Sequence, residues 1–170
     1  MAIRTAGTAV PQFEDLMRSS GRDLSISRPV LALMRAEELV GRALEEALAS
    51  TGLTPAKFNV LMELASAPDG RLALCEIGRR LVRSAPNITG LIDRLEADRL
   101  VRRGRDARDR RLVIAEITAR GWEALRPAAP AVFDAERRAI GGLSASDRRT
   151  LTTLLRALGE SEAAAGRSRT

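Results

Sequence analysis

Residues 84–118 restrict the fold of this chain more than any other stretch. They read SAPNITGLIDRLEADRLVRRGRDARDRRLVIAEIT. Ile88, Leu91, Ile92 and Leu95 stand at i, i+3, i+4 and i+7, the spacing of one apolar stripe on an α-helix. Beyond Asp98 the helical period gives way to two short runs, 100–104 and 112–117. The second alternates Leu112, Ile114 and Glu116 with Val113, Ala115 and Ile117. The pattern predicts a helix over 86–98 that runs into a β-hairpin, with the arginine-loaded turn RGRDARDRR between the strands. Composition supports helical surroundings for that hairpin. The 170 residues suffice for one domain with a real core; 45% are apolar, with many Ala and Leu, and only 2% are aromatic.

A short helix over 73–82, with Leu74, Ile77, Gly78 and Leu81 inward, precedes this unit and joins it through the turn RSAP. Two short helices linked by a tight turn, the second ending in a hairpin, make a winged helix-turn-helix. Thr54 and Pro55 open another helix to about Ser66, with Phe58, Leu61, Met62 and Ala65 in its stripe and the breaker APDGR after it. Longer helices flank this lobe. Ser27 and Pro29 suit the start of one that carries Val30, Leu33, Met34, Val40, Leu44 and Leu48 toward Gly52. Thr118 caps another, in which Pro127 and Pro130 are expected to break or kink the helix, since each lacks an N–H donor. Gly141 and Gly142 end it. Ser144 and Asp147 form a capping-box variant ahead of a last helix with Leu151, Leu154, Leu155 and Leu158 on one face. The expected fold class is mainly α with a small β-wing. It divides into a polar N-terminal extension (1–25), a helical dimerisation region (26–52 and 119–162), a winged lobe (53–118) and a disordered tail (163–170). The long first helix and the leucine stripe exceed what a lone winged lobe can cover, which points to a homodimer.

Charge is concentrated at the hairpin. The formal net charge is +6; residues 79–111 hold eleven arginines and five acids, 11 − 5 = +6, so the remainder is neutral. A positive field focused on a helix and a finger is the footprint of a polyanion, here double-stranded DNA. Near the helix start, Arg83, Ser84, Asn87, Thr89 and Arg94 offer donors and acceptors for base edges or phosphates, whereas Pro86 and Gly90 leave the outer arc sparse. In the wing, Arg103, Arg105, Arg108, Arg110 and Arg111 are candidates for a narrow minor groove. Asp109 is placed to hold Arg111 through an ion pair, and Asp106 to brace Arg103, Arg105 or Arg108.

Other chemistry has little to stand on. There is no histidine, the single cysteine is Cys75, and no Gly-rich phosphate loop or metal-ligand cluster is present. An enzyme, a metal site and a cofactor are not expected. No apolar run reaches the roughly 18 residues of a membrane span or makes a signal peptide, so a soluble, cytoplasmic protein without membrane contact is expected.

At these residues the chain resembles the MarR family of transcriptional regulators. The resemblance is carried by LTPAKFNVLMEL (53–64), LCEIGRRL (74–81), SAPNITGLIDRLEADRLVRR (84–103), RDARDRR (105–111) and ITARG (117–121), and extends in order and spacing over about 30–160. It implies a homodimer with the first, fifth and sixth helices intertwined and two winged lobes on one DNA face. It also implies that Asp109 and Arg111 are the wing acid and minor-groove arginine, and that Arg94 serves lobe–DNA contacts or ion pairing. Gly90, Glu116, Ile117, Pro127 and Pro130 depart from the family pattern, and the prolines are expected to alter the spacing between lobes. The same resemblance implies a repressor released by a small, often aromatic or phenolic acid bound between dimer and DNA lobes. Phe58, Met62 and Trp122, with Arg28 or Arg35 for a carboxylate, are the candidate lining. Two alternatives stand beside this reading: a sequence-indifferent architectural DNA-binding protein, favoured by the bare outer face at Gly90, and a redox-sensing regulator acting through Cys75.

Overall fold

The structure, a computed structural model, describes residues 19, 21, 24–81, 85–106 and 109–167, with the side chains of 24, 85 and 160–167 excepted. The predicted extension (1–25) lies almost wholly outside the described residues, as do Arg83, Ser84 and Arg108. The chain forms two compact units, up to Val40 and from Gly41 onward.

Helix α1 spans Leu24–Leu48, with Pro29 inside it rather than in its first turn. In the first unit its apolar residues Ile26, Val30, Leu31, Leu33, Met34 and Leu39 are exposed.

The second unit holds the core. Helix α2 (Pro55–Ser66) starts where Thr54 accepts from the Lys57 amide and Pro55, which has no N–H to satisfy, takes the first turn. A 3-10 turn, Pro68–Gly70, follows, with Asp69 (φ 59°) and Gly70 (φ 65°) both left-handed. Only glycine suits the second position, because a Cβ there would stand 2.7 Å from Ile117 Cγ2. The turn feeds a strand that the hairpin reading lacked, β1 (Arg71–Ala73). Three residues are too few to display a period of two, which is why the pattern hid it. Helix α3 (Leu74–Arg80) and helix α4 (Ala85–Ala97) come next. The α4 stripe packs as its spacing predicts, with Ile88, Leu91, Ile92 and Leu95 between 0% and 3% exposed.

Helix α4 ends in a Schellman motif. The amide of Leu100 donates to Leu95 O and that of Arg99 to Glu96 O, while Arg99 itself is left-handed (φ 60°). This cap turns the chain straight into β2 (Val101–Arg105), which pairs antiparallel with β3 (Val113–Ile117). With β1 on the far side of β3, the wing is a three-stranded sheet of order β1-β3-β2. Helix α5 (Ala119–Ile140) is capped by Thr118, whose hydroxyl accepts from the Gly121 amide. A Cβ on Gly121 would collide with the Leu100 carbonyl, so the glycine of ITARG lets α5 seat against the root of the wing.

The expected break at Pro127 and Pro130 does not occur: α5 is one helix across both. Its buried stripe is Gly121, Leu125, Ala128, Val132 and Ala135. Both prolines lie on the exposed side, and the carbonyls that lose a partner belong to the exposed residues Glu123 and Arg126, which are open to solvent. Helix α6 (Ala145–Arg167) opens with a reciprocal box. Ser144 Oγ accepts from the Asp147 amide at 3.1 Å, and Asp147 Oδ2 accepts from the Ser144 amide at 3.3 Å. The helix runs on to Arg167, into the stretch that the sequence reading takes as a tail (163–170). All its described side chains are exposed.

Candidate nucleic-acid interface

The wing turn is built by its acids. Asp106 Oδ1 accepts from the Asp109 amide at 2.9 Å, and the Asp106 amide donates to Leu112 O. These bonds close the turn between β2 and β3. Arg105 adds a brace from the strand, its Nη1 donating to Arg110 O at 3.2 Å. Asp109 then grips Arg111 at three points: its Oδ1 accepts from the Arg111 amide (3.0 Å) and from Nε (3.2 Å), while Oδ2 accepts from Nη2 (3.4 Å). The guanidinium so held is 92% exposed. Asp109 and Arg111 are therefore placed as the sequence predicts. Arg110 is exposed beside them.

Arg103 lies elsewhere than the wing surface where the sequence reading puts it. Its side chain is only 24% exposed and turns onto α4. Nη2 donates to Thr89 O at 2.9 Å and meets Asp93 Oδ1 at 2.5 Å; Nε stands 3.5 Å from Glu96 Oε2. The Arg103 amide donates to Glu96 Oε1 at 3.1 Å. Strand alternation sends Arg102 the other way. There it forms a fork on Glu116, with Nη2 3.0 Å from each carboxylate oxygen, and Arg71 reaches the same carboxylate at 3.8 Å. Glu116, out of place as an apolar strand residue, is the centre of a cross-strand Arg71–Glu116–Arg102 ladder. Its partners become visible only once the strand register is known. The ladder and Arg103 line a cavity of about 400 Å³ with Gly104 and Ile114.

On α4, Asn87, Thr89 and Arg94 are exposed, as a reading face requires. A Cβ at Gly90 would meet nothing within 4 Å, so the space there is open rather than closed by packing. On α3, Glu76 binds Arg79 and Arg80 (2.7 and 2.8 Å), and Arg80 also reaches Glu63 on α2 at 3.2 Å. These two guanidinium groups hold the Glu76 carboxyl at a pKa of about 2, below its ordinary 4.5.

The candidate ligand residues fall in both units. Phe58 is 6% exposed inside the core and Met62 is half-buried against it, so both serve packing in the lobe. Trp122 is 43% exposed on α5. Arg28 and Arg35 are exposed on α1 in the first unit. Cys75 is exposed near the start of α3, contrary to the usual burial of a free cysteine.

Comparison with known proteins bears on this architecture. Residues 51–112, from the start of α2 through the wing turn, match the model of the MarR family. YkoM of Bacillus subtilis, an HTH-type transcriptional regulator, is 35% identical over 108 residues, which cover 64% of this chain and 69% of YkoM. The chain belongs to the MarR family. YetL of the same organism, an HTH-type transcriptional repressor, is 33% identical over 61% of this chain; the match spans 62% of YetL's length. Sco3205 of Streptomyces coelicolor, a MarR-family transcriptional regulator solved in complex with DNA, superposes with a TM-score of 0.76 at 26% identity, over 82% of this chain and 89% of that one. The MarR lobe here is thus a winged helix-turn-helix with three strands in its sheet.

Proposed function

We propose that this chain is a homodimeric, sequence-specific DNA-binding transcriptional regulator of the repressor type. In this reading α4 enters the major groove and the wing lays Arg111 into the adjacent minor groove. The observation that carries it is the Asp109–Arg111 clip: a highly exposed guanidinium held by an ion pair in the most positive part of the chain. Fixing the side chain before binding lowers the ordering cost of the contact. Sco3205, solved with DNA, supports the placement of the lobe. The dimer is supported by the uncovered leucines of α6 and by a second apolar face on α5, where Trp122, Phe133 and Ile140 are exposed. An aromatic or phenolic acid as releasing effector rests on the family resemblance. Its test is loss of operator binding when such acids are titrated in.

The central experiment is a fluorescence-anisotropy titration of the protein on its own upstream DNA against random DNA at fixed salt. Preference for the upstream sequence is expected; equal affinity would make the protein an architectural binder instead. Arg111→Ala is expected to weaken binding about tenfold or more and to lower the salt slope by about one ion, with helix content and dimer unchanged. Unchanged affinity would remove the wing from the interface.

A further inference from the structure

We propose that Arg103 is a positioning residue: it sets the wing at a fixed distance and angle from the recognition helix, and Asp93 and Glu96 form the socket that it needs. The inference rests on the DNA-reading role proposed above and concerns how that reading is aligned.

Three observations converge on it. First, the guanidinium makes a set of contacts that a phosphate-seeking arginine has no use for. It joins a main-chain carbonyl of α4 (Thr89 O) to two carboxylates one helical turn apart, Asp93 and Glu96, while its own amide also bonds Glu96. The two carboxylates offset the field of this guanidinium, so the cluster as a whole offers DNA no net positive charge. Second, the acids themselves are misplaced for a DNA reader. Asp93 and Glu96 stand on α4 within the strongly basic segment, both well exposed, where they repel phosphate. A role in holding Arg103 explains why acids occupy this surface. Third, the contacts form a continuous path. Arg103 and Arg105 lie on the same face of β2, two residues apart. Arg103 ties the strand to the recognition helix, Arg105 ties it to Arg110 O in the turn, and Asp109 in that turn holds Arg111. The exposed Arg111 is thereby linked, bond by bond, to the helix meant for the neighbouring groove.

Lysine cannot replace Arg103 in this role. It keeps the charge, but a single ammonium lacks the planar fork that reaches Thr89 O, Asp93 and Glu96 together. The two accounts of Arg103 then differ in sign. If it met DNA directly, Arg103→Lys would retain most of the affinity, and Asp93→Asn with Glu96→Gln, which raises the net charge by two, would tighten binding.

The experiment is the same anisotropy titration on upstream DNA, run for Arg103→Lys, for the Asp93→Asn/Glu96→Gln double variant, and for each with Arg111→Ala, with circular dichroism and thermal melting on every protein. A positioning role predicts that Arg103→Lys weakens binding about tenfold, and that the double variant also weakens it in spite of its added positive charge. It further predicts that Arg111→Ala costs much less affinity in either background than in the wild type, because the wing is already misaligned. Wild-type affinity for Arg103→Lys, tighter binding by the acid-free variant, or additive effects of positions 103 and 111 would each overturn the inference. Should Arg103→Lys unfold, the double variant, altered only at exposed side chains, still decides. Arg111→Ala in the wild-type background keeps the two readings apart. If it has no effect, the DNA-reading role fails and takes this inference with it; if it weakens binding while the socket variants do not, only the inference fails.

Discussion

Helices α4 and α6 carry the same aliphatic spacing. Ile88, Leu91, Ile92 and Leu95 repeat at the intervals of Leu151, Leu154, Leu155 and Leu158, yet the first set is at most 3% exposed and the second between 40% and 63%. Periodicity specifies a helix and the side it hides; it does not say what hides it. In α4 the cover comes from within the lobe, from α2, α3 and the strands. In α6 nothing described in the same chain supplies it. A helix of 23 residues with no buried side chain among those described gains little from packing, and isolated helices are marginal in water. Burying each of its leucines contributes about 1.5–3 kcal/mol, enough to make the proposed second copy part of the fold.

The largest test of this contrast exchanges the two stripes' fates. Leu155→Glu is expected to convert the dimer to a monomer in light scattering after size-exclusion chromatography, and to abolish the rise of Tm with protein concentration. Ile92→Ala is expected to cost about 2–5 kcal/mol in urea unfolding, by the same amount at every concentration, because its cavity opens inside one lobe. A concentration-dependent cost for Ile92→Ala, or a dimeric Leu155→Glu, would erase the distinction. Gly121→Ala should follow at about 1–3 kcal/mol, since the added methyl pushes α5 off the Leu100 carbonyl. As a contact within the lobe, it too should be independent of concentration. The smallest effect belongs to Glu76. Its folded pKa of about 2 lies below the ordinary 4.5, so its contribution is present above about pH 4.5 and is lost as the pH falls toward 2. Glu76→Gln should flatten the acid limb of a melting curve in that window and leave Tm at neutral pH little changed, as exposed ion pairs do. An unchanged acid limb would show that the Arg79–Glu76–Arg80 cluster does not couple to folding.

Much of the lobe was legible because each signal was local. The Thr54, Thr118 and Ser144 caps, the α4 stripe and the Asp109–Arg111 pair all depend on residues within a turn of one another. What failed depended on partners distant in sequence or on knowing which side faces water. Pro127 and Pro130 read as breakers until the buried stripe of α5 places both in solvent. β1 was too short to show its period, and its pairing with β3 crosses some forty positions (Arg71 with Glu116). Arg103 and Arg111 look alike in a run of arginines. The register of the strand and the acids across on α4 make one a tether and leave the other exposed on its clip. Phe58 and Met62 show the reverse ambiguity, since an apolar helix stripe reads equally as ligand wall and as core.

The open space at Gly90 has an evolutionary meaning. A Cβ added there meets nothing within 4 Å, and replacing a mid-helix glycine strengthens a helix by about 0.5–1 kcal/mol. Most positions on a reader are constrained twice, by what they recognise and by what they hold together. On the DNA-reading role proposed for α4, this one is constrained only by recognition, and it is where a descendant of this chain can acquire a new operator without unlearning how to fold.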